Sequence, residues 1–123
     1  MSIRVESLAF DCVDVARVGR FWADLLGAEL GADPEGYLYI AASGPRPELL
    51  FLPVPEGKGG KNRLHLDLRP TGQDQEAEVA RALELGARRS DIGQGEVSWV
   101  VLADPEGNEF CILRPLPEDE PSD

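Results

Sequence analysis

The side chains of this 123-residue chain best suited to chemistry stand in one short run, Arg63-Leu64-His65-Leu66-Asp67-Leu68. Its alternation places Arg63, His65 and Asp67 on one face of a strand and Leu64, Leu66 and Leu68 on the other. His65 is the chain's only histidine. Imidazole titrates near neutral pH, so His65 beside Asp67 suits general acid–base catalysis. Residues two apart on a strand lie side by side without having to hydrogen-bond, so a histidine that merely satisfies its neighbours is the competing reading. Arg63 offers a cation to an anionic or hydrogen-bonding group. A covered strand face tolerates these groups only where they reach water, a ligand or each other. Two arrangements meet that condition: a polar pocket floor, or an ion-pair network joining Arg63 to Asp67 or Asp11.

The two cysteines, Cys12 and Cys111, are too few for a disulfide scaffold and form no CxxC pair. Both are expected to be reduced and buried. Nothing near Cys111 in sequence would lower its pKa, so it is expected to be a small pocket residue and not a nucleophile.

The elements that must position these groups can be read in order. Arg4 to Cys12 alternates as a strand, with Leu8, Phe10 and Cys12 on one face and Val5, Ser7, Ala9 and Asp11 on the other. Asp14 is an N-cap, and Val15, Val18, Trp22 and Leu25, widened by Phe21 and Leu26, form the apolar stripe of a helix that Gly27 ends. Short strands are expected at 28–31, 37–42 and 48–54, followed by a flexible linker at 55–62. The pattern then restarts with a strand at 63–68 and a helix at about 73–85, capped by Thr71 or Asp74, stopped by Gly86, and packed through Val79, Ala80 and Leu83. Strands at 88–92, 97–103 and 109–114 complete the second set. Asp104-Pro105-Glu106-Gly107-Asn108 is dense turn chemistry and closes the last hairpin. Trp99 and Tyr37 sit on strands where either a pocket wall or a packed core would suit them.

The restart is also visible as a repeat. Ser7-Leu8-Ala9-Phe10-Asp11 matches Arg63-Leu64-His65-Leu66-Asp67, Leu26-Gly27-Ala28 matches Leu85-Gly86-Ala87, and Glu48-Leu49-Leu50-Phe51-Leu52 matches Glu109-Phe110-Cys111-Ile112-Leu113. The chain is therefore expected to be α+β, two tandem βαβββ modules at about 3–54 and 63–115 within one domain, 1–115, followed by an acidic flexible tail, 116–123.

A formal charge of −11 disfavours nucleic acid, whose phosphates demand a Lys/Arg surface. No apolar run approaches the roughly 20 residues that span a bilayer, and the first residues lack signal-peptide character. A cytoplasmic location is expected.

A duplicated βαβββ unit carrying Phe21-Trp22…Leu25-Leu26-Gly27, the Leu64–Leu68 restart and the Asp104–Phe110 hairpin resembles the vicinal oxygen chelate (glyoxalase/bleomycin-resistance/dioxygenase) superfamily, and its glyoxalase-like subgroup in particular. The resemblance implies a curved mixed sheet with a concave cavity. In metal-dependent members it implies one ligand from the first and last strand of each module; carried over here, those positions fall at Ser7, Leu50, Arg63 and Cys111. Leu50 and Arg63 offer no useful donor and Ser7 a poor one, so no metal or other cofactor is expected. A shifted divalent-metal site using His65, Asp67, Cys111 and Glu109 is the alternative. The expected function is binding of a small organic molecule in the cavity, by Ser7, Asp11, Leu50, Arg63, His65, Asp67, Trp99 and Cys111, in a homodimer. An enzyme of the same superfamily, either a metal-dependent lyase, isomerase or dioxygenase or a metal-free acid–base catalyst, is the competing class. A protein-interaction module is a third, supported only by the acidic tail. Whether the modules pair within one chain or across two is left open.

Overall fold

A computed structural model of the protein describes residues 2, 4–91 and 93–119. The chain divides into two compact units, Met1–Gly57 and Lys58–Asp123. Each is a βαβββ module, so the fold is α+β with two tandem copies, each built on its own four-stranded mixed sheet.

The first unit runs β1 (Ser7–Cys12), α1 (Val15–Leu26), β2 (Gly31–Ala32), β3 (Leu38–Ile40) and β4 (Glu48–Pro53). Its strand order is β1-β4-β3-β2, with β1 parallel to β4 and the other pairs antiparallel. The first helix begins where an aspartate can satisfy an otherwise orphaned donor: the Asp14 carboxylate accepts from the Arg17 N–H at 3.1 Å. It ends at Gly27, whose φ of 65° is left-handed backbone that only glycine adopts cheaply. Val18, Phe21, Trp22 and Leu25 are all buried, and Arg17, Arg20 and Asp24 are exposed, as the apolar spacing implies. Phe10 meets Trp22 at a ring-centroid distance of 5.4 Å and Phe51 at 5.2 Å. These contacts fix the face of β1 and β4 that lies under α1. Aromatic pairs at such distances add about 1 kcal/mol each beyond the area they bury.

The second unit runs β5 (Leu66–Leu68), α2 (Gln75–Leu85), β6 (Arg88–Arg89), β7 (Val100–Ala103) and β8 (Glu109–Ile112), then a 3-10 turn at Pro117–Asp119. Its order, β5-β8-β7-β6, repeats that of the first unit strand for strand. Asp74 is the cap of α2, accepting from the Ala77 N–H at 2.8 Å, and Glu76 and Glu78 place negative charge at the positive end of the helix dipole. Val79 and Ala82 are its buried residues, whereas Ala80, expected in the apolar contact, is exposed.

Several strands are shorter than the residue pattern predicts. The strand expected at 63–68 begins only at Leu66, and Leu64 is 86% exposed instead of packing under α2. The cause is upstream: Asn62 is held by Glu109, whose carboxylate accepts from the Asn62 backbone N–H at 3.1 Å, and the chain bends at residues 63 and 64. The strand expected at 97–103 begins at Val100, leaving Trp99 outside it. That expected at 28–31 lies at Gly31–Ala32, and that at 88–92 shortens to Arg88–Arg89, with Ile92 outside the described residues. The expected linker is tied to the second unit: Lys58 and Asn62 both donate to Glu109. The end of the expected tail, residues 120–123, also lies outside the described residues.

Candidate functional site

The parallel pairing of β5 with β8 sets Asp67 directly beside Cys111. Leu66 and Leu68 pair with Phe110 and Ile112 in the same ladder, so alternation turns Asp67 and Cys111 to the opposite face from these apolar residues. His65, immediately before β5, closes over the pair. Its Nδ1 lies 3.1 Å from Asp67 Oδ1 and 3.8 Å from Cys111 Sγ. His65 and Asp67 are open to solvent, whereas Cys111 is 2% exposed.

The chemistry of this trio follows from which atoms meet. Burial pushes the Cys111 thiol up, and the adjacent Asp67 charge and hydrogen bond push it further, to about 11. A thiol four units above neutrality is ionised in roughly one molecule in 10⁴, so Cys111 is no nucleophile at pH 7. Both Asp67 and Cys111 approach the same imidazole nitrogen. A nitrogen whose hydrogen is donated to Asp67 cannot also take the thiol proton, so the three do not form a relay triad, which needs both ring nitrogens.

The other expected residues are placed as follows. Arg63 is exposed at the bend before β5 and makes no ion pair with Asp67, whose carboxylate pairs with His65 instead. Trp99 is 40% exposed. On the first module, Ser7 and Leu50 are half-buried and Asp11 is exposed. Ala9 pairs with Leu50, and Ser7, Ala9 and Asp11 lie on the face turned away from Phe10 and Trp22.

Sheet register also revises one equivalence drawn from the repeat. Leu50 on β4 corresponds to Cys111 on β8, and their parallel partners are Ala9 and Asp67. Two residues earlier on each partner strand lie Ser7 and His65. The counterpart of Ser7 is therefore His65, not Arg63. Apolar matching alone placed it two residues too early, a slip that preserves alternation.

One feature had no signal in the residue pattern. An open depression of about 490 Å³ in the second unit is lined by Lys58, Gly60, Arg88, Glu106, Gly107 and Glu109 among others. Glu109 anchors it, accepting from Lys58 at 3.3 Å and the Asn62 N–H at 3.1 Å. Burial alone would raise the Glu109 carboxyl; the backbone donors of Asn62 and Glu109 and the Lys58 ammonium outweigh it and hold it below the ordinary value. Glu109 is thus committed to the 58–62 segment and does not join His65, Asp67 and Cys111.

Duplicated βαβββ modules, with polar groups on the sheet face turned away from the helices, define a class of protein. The chain belongs to the glyoxalase-like domain family, whose model matches residues 7–113. Solved structures with the same fold include a glyoxalase/bleomycin resistance protein from Albidiferax ferrireducens T118, at 19% identity over 90% of this chain and 98% of that one, TM-score 0.62. TnmS3, an antibiotic binding protein from Streptomyces sp. CB03234, is 22% identical over 99% of both chains, TM-score 0.58. The trypanothione-dependent glyoxalase I of Leishmania major is 17% identical over 92% of this chain and 87% of that one, TM-score 0.63. No curated protein matches the chain.

The metal centre that this fold implies can be tested against the donor set. With the register corrected, the four positions are Ser7, Leu50, His65 and Cys111. Leu50 is hydrocarbon and Ser7 a neutral hydroxyl, so the first module supplies neither an imidazole nor a carboxylate. A centre drawing ligands from both modules does not fit these residues.

Proposed function

We propose that the protein binds a small organic molecule on the helix-free sheet face of its modules and works by binding, without a metal. The observation that carries this reading is the donor set: two of the four positions where the fold places metal ligands hold Ser7 and Leu50. In the first unit, half-buried Leu50 stands with Ser7 and Asp11; in the second, exposed Trp99 stands with Arg63, His65, Asp67 and Cys111; each set combines an apolar group with a few polar ones, the composition that small-molecule sites use. A protein of this fold that is titled antibiotic binding lends the reading support by analogy. The exposed cationic head of Arg63 suits an anionic or hydrogen-bonding group on the ligand. Two free cysteines and the absence of a long apolar helix among the described residues fit a cytoplasmic protein, and we propose a homodimer.

A thermal-shift screen of small aromatic, heterocyclic and charged compounds tests the proposal. A ligand at about 100 times its Kd adds roughly 2.7 kcal/mol of stability, a shift of several degrees for a domain of this size. Arg63→Ala is expected to weaken any anionic hit. A hit bound equally well by Arg63→Ala, His65→Ala and Trp99→Ala would remove this face from consideration. One observation favours a second reading, metal-free acid–base catalysis by His65: its 3.1 Å contact with Asp67 orients the imidazole. That reading requires turnover of a hit that is lost in His65→Ala while binding is retained.

A further inference from the structure

We propose that the depression beside the Lys58–Asn62 segment is a second ligand site, which takes a small organic carboxylate through Arg88 and Lys61. None of its lining residues is among those named for the binding function above, so the inference adds a site and does not rest on that reading. The place is unusual already in the amino-acid sequence. The chain holds only two lysines, Lys58 and Lys61, and both line the depression in a protein whose formal charge is −11.

Strand register builds the floor. Arg88 pairs with Ala103 and Ala103 with Glu109, so one row crosses β6, β7 and β8 with its side chains on a single face. The middle member is only a buried methyl group, which leaves a gap between the two charged ends. Gly107 continues that floor at the turn from β7 to β8. A Cβ there would stand 3.3 Å from the Arg88 guanidinium and 3.8 Å from the Lys58 stem. Its φ of 90° favours glycine, so the space under both cations stays clear. At the matching place in the first module, Leu26-Gly27-Ala28 is followed by Glu29, where Leu85-Gly86-Ala87 is followed by Arg88. The cation is therefore a property of the second copy and not of the repeated unit.

The charges around the floor select the ligand. Lys58 is committed: its ammonium meets the two Glu109 oxygens, at 3.3 and 3.2 Å, and the Gly60 carbonyl. Exposed Arg88 and Lys61 are the cations placed to meet an anion from solvent. A guanidinium presents a planar fork that matches the two oxygens of a carboxylate. Gly59 and Gly60 bring backbone without side chains up to the same space. Asp91 and Glu106 also line it, and they oppose a second negative charge. A monoanion with a compact apolar body, resting on the Ala103 methyl, therefore fits better than a phosphate, which is partly dianionic at neutral pH.

The test is titration of the ¹⁵N-labelled full-length chain with sodium benzoate, and separately with inorganic phosphate, at constant ionic strength held by chloride. Amide shifts in two-dimensional NMR are the readout. Benzoate is expected to move the Gly59, Gly60 and Gly107 resonances along a saturable curve with a Kd on the order of millimolar, and to bind more tightly than phosphate. Arg88→Gln, at an exposed position, should weaken benzoate at least about fivefold and Lys61→Gln about two- to threefold. Arg89→Gln removes the same charge one residue away, where alternation turns the side chain to the other face, and should leave the curve unchanged. A response that does not saturate, a curve that Arg88→Gln and Arg89→Gln alter equally, or phosphate binding as tightly as benzoate would each overturn the assignment. So would benzoate shifts centred on Asp67 and Cys111, which would belong to the binding function proposed above and not to this depression.

Discussion

Replacing Asp104 with alanine should be among the most damaging changes available to the second module. The side chain is fully buried and its carboxylate accepts hydrogen bonds from the Glu106 N–H at 2.9 Å, the Asn108 N–H at 3.0 Å and the Asn108 side-chain amide at 2.9 Å. The first module contains a control. Asp33, in Asp33-Pro34-Glu35-Gly36-Tyr37, accepts from the Glu35 and Tyr37 N–H groups at 2.9 Å each, but it is only half-buried and has no third donor among the described residues. In both loops the glycine N–H bonds back to the aspartate carbonyl, at 3.0 Å for Gly36 and 2.9 Å for Gly107. Local geometry therefore cancels in the comparison, leaving the fuller burial of Asp104 and its additional partners, the Asn108 amide among them. Each hydrogen bond to a charged group contributes about 1.5–3 kcal/mol where its donor stays dry. The half-buried donors of Glu106 and Asn108 recover water in part, so Asp104→Ala should cost about 3–4 kcal/mol and Asp33→Ala about 1–2. Asp104→Asn keeps an acceptor oxygen for the backbone donors, and Asn108 can turn its amide to face the new one, so about 1 kcal/mol is expected. Urea unfolding at pH 7, followed by far-ultraviolet circular dichroism, measures all three as midpoint shifts at constant m. Equal losses for Asp104→Ala and Asp33→Ala would refute the reasoning.

Two further outcomes are expected. Because the Glu109 carboxyl is held below 4.5 in the folded chain, its contribution to stability is complete above that value and disappears as pH falls through the depressed pKa; Glu109→Gln should be destabilised by about 1–3 kcal/mol at pH 7, and its urea midpoint should fall less steeply with acid below pH 4.5 than that of the wild type. Gly31 lies under its ladder partner Tyr39, so close that an added Cβ would sit 2.6 Å from the ring, and Gly31→Ala should therefore lose about 1–3 kcal/mol in the same assay, with Tyr39→Ala in the background relieving much of the penalty.

Much of the architecture was legible because its signals are local. Asp14 and Gly27 bound the first helix and Asp74 and Gly86 the second, since capping depends on residues within one turn. The duplication showed through because each module must bury one face of the same set of elements. Register was harder. Alternation is unchanged by a slip of two residues, so the apolar match aligned Ser7 with Arg63, and only the β1–β4 and β5–β8 ladders identify His65 as its counterpart. Leu64 illustrates a second limit: it has the right spacing for a strand, but the hold of Glu109 on Asn62 bends the chain beside it. The convergence of His65, Asp67 and Cys111 combines adjacent residues with one more than 40 positions away, a contact created only by parallel pairing. That is why a short motif suggested the chemistry but not the shared nitrogen that excludes a relay.

Parallel pairing of the first and last strands also has a consequence for how the protein is made. Within each module the strand that leaves the ribosome first is laddered, among the described residues of that module, with the strand that leaves last: Ser7–Cys12 with Glu48–Pro53, and Leu66–Leu68 with Glu109–Ile112. Synthesis therefore holds Leu8, Phe10 and Cys12 without their ladder until nearly a whole module has emerged, whereas the β2–β3–β4 meander can zip as it appears. A nascent chain halted just before Glu48 exposes the strand on which the rest of its module will close, and this is the stage at which a chaperone would have most to bind.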